Sequence, residues 1–358
     1  MFVMPMKITK AKVREKLKSA YNFVIVTMNG MVYGLFATLI VGGIVKQLGL
    51  LLDFEMLFGG VSFHLGEKIV AAATFVQSLM GVGIGIGIGM SLKFDGLKLV
   101  ASAVAGGIST SVALLGKSDP LVAYLTVIFT LLLIKVIFRK KTPFDIIIIP
   151  MLAIFFSYAI GSILVNPISS IATAVGAFVN RVTEFEQPFL MGMLVSVLMG
   201  MILTSPLSSA AIAISFQIGG IAGGASLVGC CANMLGFAIM GRKDNDLGTT
   251  LSVGIGTSML QFKNVLKKPI IWLPPIIASA ILGPFSTLVF LTRTDPSGAG
   301  MGTAGLVGQF ATYAAMGNGV MTWLSIFVLQ ILAPLVLVFF IDLLFRKLRL
   351  YGPGDLKI

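Results

Sequence analysis

The sequence predicts an all-α polytopic membrane protein of about ten crossings, and three observations predict it. Charged residues make up 11% and hydrophobic residues 57% of the 358-residue chain, whereas a soluble domain carries roughly 25% charged residues. Apolar runs of about 20 residues recur from one end to the other, the length a helix needs to cross about 30 Å of hydrocarbon. The basic residues behind the net charge of +12 gather between those runs, as the positive-inside rule requires of cytoplasmic loops. That clustering argues against nucleic-acid binding, and the lack of period-two alternation argues against a transmembrane barrel.

The elements follow in order. Residues 1–20, with Lys7, Lys10, Lys12, Arg14, Lys16 and Lys18, form a basic cytoplasmic tail. Tyr21–Leu52 is a first span long enough to require tilt or a break near Gly42-Gly43. Asp53–Lys68 is an outer loop, and Ala71–Met90 returns inward through the glycine run GVGIGIGIGM. Leu97–Leu115 goes out and Leu121–Ile137 comes back to the cytoplasmic cluster Arg139-Lys140-Lys141. Ile146–Val165 is the fifth span, and the less apolar Asn166–Asn180 is expected along the outer interface.

Phe189–Thr204 opens a second half. Ser205–Met240, too long for one helix, is expected to make two short crossings. Leu247–Gln261, with basic residues on both sides, is expected to dip into the membrane and return. Ile270–Leu291 and Met321–Phe345 complete the count, and the tail at 346–358 is cytoplasmic. Domains are thus expected at 21–180 and 181–345. An echo of GIGMSLKF (Gly87–Phe94) in GIGTSMLQFK (Gly254–Lys263) suggests an internal repeat.

Catalytic chemistry is not legible. No Asp or Glu lies centrally in a span; Asp145 and Asp342 sit at span edges beside basic clusters, where snorkelling or ion pairing accounts for them. The single histidine, His64, reads as a solvated loop residue, and Cys230-Cys231 as buried thiols without metal-ligand spacing. No metal, cofactor or nucleophile–base constellation is expected. Neutral amides in apolar sequence remain, Gln77, Asn233 and Gln309 among them. Amides offer both donors and acceptors to a hydroxylated solute, although they also join helices.

The richest stretch is TRTDPSGAGMGTAGLVGQ, Thr292–Gln309. Asp295 is placed to cap a helix that starts at Pro296. Gly298, Gly300 and Gly302 let backbone amides approach a ligand, and the stretch is apolar enough to re-enter the membrane from outside. Unwound backbone at membrane depth must line a cavity or be buried in protein. The candidate solute site is therefore Asn233, Ser297, Gly298, Gly300, Thr303 and Gln309, with no charged group among them.

GAGMGTAGLVGQ, TSPLSSAAIAI (Thr204–Ile214), GGASLVGCCANMLGF (Gly223–Phe237) and MNGMVYGLFATLIVGGI (Met28–Ile44) together resemble the second EIIC-like family of the bacterial phosphotransferase system, which includes proteins described as perfringolysin O regulators. The resemblance covers about residues 20–345. It implies a homodimeric permease fold with ten transmembrane helices and two re-entrant hairpins, mapping to Leu247–Gln261 and Ser297–Gly317. It also implies a sugar site in the C-terminal half, elevator-like alternating access, a separate EIIB partner and residence in the bacterial plasma membrane. The hairpin glutamate and buried histidine of better-known sugar permeases are missing here, as is any fused EIIA or EIIB domain. A sensor or regulator that no longer transports, and a transporter of a non-sugar metabolite, stand as alternatives.

Overall fold

The fold is that of a computed structural model, which describes residues 10–52, 55–58, 61–94, 96–138 and 142–358. Lys7 and the cluster Arg139–Lys141, both used above for orientation, lie outside the described residues. Among the described residues the chain is all-α apart from one small ribbon, a two-stranded antiparallel hairpin of β1 (Glu55–Phe58) and β2 (Val61–His64).

The first span comprises α1 (Lys10–Leu35), a π-helical stretch Phe36–Ile40, and α2 (Val41–Leu51). The irregularity expected near Gly42-Gly43 thus falls just before them. α3 (Leu65–Ser78) and α4 (Met80–Ser91) are bent by 48° at Leu79. His64 is exposed at the start of α3. α5 (Gly96–Ser109) and the single turn α6 (Val112–Leu115) follow, then α7 (Pro120–Ile137), which is capped by Asp119 through the amides of Leu121 (2.7 Å) and Val122 (3.2 Å). α8 (Asp145–Thr183) is one helix of 39 residues. The separate interfacial segment expected after Val165 does not form. Pro167 removes one backbone donor without ending the helix, a defect that membrane helices tolerate.

Glycine explains how tightly α1, α4 and α5 pack. A Cβ on Gly87 would lie 2.0 Å from the Gly30 carbonyl oxygen, and one on Gly85 would lie 2.0 Å from that of Ser102. The two neighbours therefore use alternate glycines of α4: 83 and 87 meet α1, while 81, 85 and 89 meet α5. Their faces are filled within one chain.

In the second half α9 (Pro188–Thr204) leads through a short α10 (Ser209–Ser215) into α11 (Gly220–Gly241). Of the two short crossings expected over Ser205–Met240, the second forms as one full-length helix, α11, and the first is reduced to the short α10. Ser208 caps α10, whose seven residues span only about 10 Å. Gln217 and Gly220, at φ +52° and +60°, then turn the chain into a single long helix. α12 (Leu247–Leu251), a π-helical Ser252–Gly256, a 3-10 turn Ser258–Gln261 and α13 (Phe262–Lys267) come next. α14 (Leu273–Leu288) packs with α9 and α11, again at glycines: a Cβ on Gly283 would lie 2.2 Å from the Gly192 carbonyl oxygen. α15 (Pro296–Ala299), α16 (Val307–Met316), α17 (Val320–Leu324), a π-helical Ser325–Leu332 and α18 (Ala333–Lys347) complete the chain. The echoed sequences adopt different structures, since Gly87–Ser91 is regular helix whereas Gly254–Lys263 breaks at an extended Thr257.

Among the described residues six helices are long and apolar enough to cross a membrane, or seven with the bent α3–α4 pair. That is fewer than the ten expected, because Gly96–Ser109 and Pro188–Thr204 are apolar but short. Asp342 is fully buried and accepts bonds from Arg346 Nε at 2.9 Å and Tyr351 Oη at 2.8 Å, the pairing its sequence context foretold.

Candidate functional site

Two broken segments of the second half meet at their tips. The first leaves Asn245 and comes back at Gln261, and both side chains donate to the same carbonyl, that of Leu356, at 2.9 and 2.8 Å. A stretch that starts and ends at one level is a hairpin. Asp246 opens it by accepting from the Thr249 amide at 2.7 Å, which lowers the pKa of this exposed carboxyl. At the far end the backbone runs extended through Thr257 (φ −162°, ψ 139°), whose hydroxyl accepts from the Met259 amide at 3.2 Å.

The second segment leaves at Arg293, whose amide lies 3.3 Å from Met316 Sδ at its return. Asp295 caps α15 through the Gly298 amide at 2.8 Å, as the sequence predicted. The chain then turns through Gly302, Gly305 and Leu306, all at positive φ. Its tip touches both neighbours: the Thr303 hydroxyl donates to the Gly254 carbonyl of the first hairpin, and a Cβ on Gly305 would lie 3.4 Å from Ile44 Cα in α2.

A cavity of about 280 Å³ opens beside these tips. The first hairpin contributes Gly256, Thr257 and Met259, and the second contributes Gly300, Met301, Ala304, Gly305 and Val307. Leu203, Leu207, Ser208, Ser209 and Ala210 form one wall; Leu35, Leu39, Gly43, Gln77 and Pro120 form the wall facing them. No charged side chain lines it. Gln77 Nε2 donates to the Leu39 carbonyl at 3.3 Å, inside the π-helical stretch where the regular ladder is disturbed. The site can therefore offer hydroxyls, one amide and unwound backbone to a neutral solute against a largely aliphatic wall.

The six residues singled out from sequence are dispersed over this region. Gly300 lines the cavity, and Thr303, 2% exposed, bridges the two tips. Ser297 and Gly298 sit at the Asp295 cap; Ser297 is exposed and donates to Asp295 Oδ1 at 2.6 Å. Asn233 is fully buried among α9, α11 and α14. Its Oδ1 accepts from Thr204 Oγ1 and Trp272 Nε1, each at 3.2 Å, and its Nδ2 donates to the Gly229 carbonyl at 3.1 Å. Thr204 also meets Ser258 Oγ at 2.8 Å, so this network reaches the first hairpin. Gln309 lies between α11 and the last span, with Nε2 3.1 Å from Gln330 Oε1. Neither Asn233 nor Gln309 lines the cavity. Cys230 and Cys231 are free and buried, as expected.

Sequence reading missed Thr257, Ser208 and Ser209 as cavity residues. Gln77 was visible as an amide in an apolar run, but nothing tied it to the second half of the chain.

The family described as phosphotransferase system, EIIC matches residues 25–358. Neither curated proteins nor solved structures yield a match. With the match running over nearly the whole chain, and the fold that of an apolar helical bundle, the protein belongs to the phosphotransferase-system EIIC family and is a membrane-embedded transporter component.

Proposed function

We propose that the chain is the permease of a phosphotransferase-type system and carries a small neutral hydroxylated solute, of the sugar class, through the cavity at the hairpin tips. The carrying observation is that cavity: it lies where two broken helical segments meet the facing helices, and no charged side chain lines it. Hydroxyls of Ser208, Ser209 and Thr257 and the Gln77 amide are the groups that would replace solute hydration. Asn233 and Gln309 would act at one remove, by holding α9, α11 and the last span around the hairpins.

In this reading the termini are cytoplasmic and the chain makes ten crossings, the return through α10 counted as one, with both hairpins re-entrant in addition. Residues 181–345 move as a body against residues 21–180, giving elevator-like alternating access in a homodimer of the bacterial plasma membrane. The glycine-locked packing of α1, α4 and α5 supports a static first half. Lys243, Lys268, Arg346 and Arg349 surround one end of the second half and suit a separate phosphorylated EIIB protein.

The aliphatic walls, Leu35, Leu39, Leu203, Leu207 and Val307, favour a second reading in which the solute is a less hydroxylated neutral metabolite. A thermal-shift screen of sugars, nucleosides and apolar metabolites separates the two. Ala304→Trp fills the cavity and is expected to abolish the shift and the uptake of the solute so found. Undiminished uptake by a correctly folded Ala304→Trp protein would place the solute elsewhere.

A further inference from the structure

A second cavity, of about 410 Å³, lies on the other side of α10. Its volume falls within the range of roughly 300–1,000 Å³ that ligand pockets occupy. Its wall is richer in side-chain hydroxyls than that of the tip cavity, with Ser118, Ser169, Thr173, Ser208 and Ser215 contributing. Lys117 and Asp119 also line it and offset one another in charge. The Asp119 carboxylate is already engaged in capping α7.

The two cavities share Ser208. The chain from there divides them: Ser209 and Ala210 face the tip cavity, and Ala211, Ile212 and Ser215 face the outer one. α10 is thus a partition one short helix thick. It is held differently at its two ends. At the start, Ser209 Oγ donates to the Gly300 carbonyl of the second hairpin at 2.6 Å. At the finish, the Phe216 ring fills the space a Cβ on Gly176 would need, 2.2 Å away. The backbone flanking the helix is extended at Ser208 and left-handed at Gln217. One hydrogen bond therefore latches the end nearer the hairpin, while an aromatic ring seats the other in α8.

We propose that the outer cavity is the access vestibule for the neutral hydroxylated solute and that α10 is its gate, swinging on Phe216 when the Ser209–Gly300 latch opens. The proposal rests on the tip cavity being the solute site. The gate has its own readout, which needs no solute. The vestibule's hydroxyls take over part of the solute's hydration before it passes into the more apolar chamber. The gate then keeps that chamber closed to water between passages.

Thiol accessibility tests the gate in the full chain held in nanodiscs, with a membrane-impermeant methanethiosulfonate as probe and the parent protein, whose Cys230 and Cys231 are buried, as blank. Thr173→Cys in the vestibule is expected to react at least tenfold faster than Ala210→Cys behind the gate. Adding Ser209→Ala should accelerate Ala210→Cys about tenfold, the worth of one lost hydrogen bond at the upper end, and leave Thr173→Cys unchanged. Thr173→Trp, which fills the vestibule, should slow Ala210→Cys in both backgrounds. Melting temperatures within a few degrees of the parent certify that the variants fold. Equal rates for Thr173→Cys and Ala210→Cys, or a Ser209→Ala variant that accelerates neither, would overturn the gate. Insensitivity of Ala210→Cys to Thr173→Trp would overturn the route. If the labelling pattern holds while Ala304→Trp leaves uptake intact, the gate stands and the tip cavity is not the solute site.

Discussion

Thr303→Val isolates the contact between the two hairpin tips. Valine keeps the shape of threonine and removes the hydroxyl that Gly254 receives. Thr303 is 2% exposed and donates this bond across 49 residues of sequence, so water has little access to replace it. Losing a neutral hydrogen bond costs about 0.5–1.5 kcal/mol, and leaving a buried acceptor unmet raises that to about 3 kcal/mol. The tip pairing is therefore expected to weaken by about 1–3 kcal/mol, a factor of roughly 5–150 in the equilibrium between paired and parted tips. Hydrogen exchange read by mass spectrometry reports it directly. Amides of Ser252–Ser258 and Gly300–Leu306 should exchange faster by that factor, while those of α4 and α11 keep their parental rates. Thr303→Ser retains the donor and should restore most of the protection. The reasoning fails if Thr303→Val exchanges within twofold of the parent in both segments, or if Thr303→Ser is indistinguishable from it.

Asn233→Ala removes the acceptor used by Thr204 and Trp272 and leaves space where three helices meet. A destabilisation of about 2–4 kcal/mol is expected, with a changed Trp272 emission as the local signature. Gly85→Val drives a side chain toward a carbonyl that a Cβ would already approach at 2.0 Å. Loss of the folded, monodisperse peak in size-exclusion chromatography should follow, whereas Gly116→Ala, in open space despite its positive φ, should cost only about 1 kcal/mol. Asp355 is held below the usual carboxyl range, chiefly by its 2.7 Å bond from Lys268. A lowered native value means that the stabilisation is complete above the unfolded value near 3.8 and is lost as pH falls through the native one. Protection of residues 352–358 against exchange should therefore drop below about pH 3.8, and Lys268→Met should weaken that pH dependence, leaving the part due to the Gly352 amide. Cysteines placed at Lys243 and at Glu184 should label from opposite sides of the membrane; labelling from one side would refute the proposed topology.

The parts of this fold that the sequence made legible are those with local causes. The apolar runs became helices, Asp295 capped α15, and Asp342 found its arginine one turn away at Arg346. Breaks were harder to place. The fall in hydrophobicity after Val165 suggested an end to the fifth span and α8 ran on, while Ser208 and Gln217, which confine α10 to seven residues, lie in sequence as apolar as a span. Neighbours were harder still. Gly81–Gly89 announce close contact, but only the assembled bundle tells that the partners are Gly30, Gly34, Ser102 and Gly106 of the same chain. The cavity was least legible, because its walls are backbone at Gly256, Gly300 and Gly305 and aliphatic side chains such as Leu35 and Leu39. In sequence such residues look the same as those that meet lipid.

The tail after α18 carries a consequence for biogenesis. Its backbone is read by side chains from separate elements. Asn245 and Gln261 hold the Leu356 carbonyl, Asn264 donates to that of Lys357 at 3.0 Å, and Asp244 receives the Leu356 amide at 3.2 Å. Those residues leave the ribosome before the tail does, and they form one docking surface only once α11 and the first hairpin have come together. A chain stalled in assembly leaves residues 352–358 unbound and open to proteases, whereas a completed one buries Leu356 entirely. Susceptibility of this short segment to cleavage thus becomes a measure of how much newly inserted protein has finished folding.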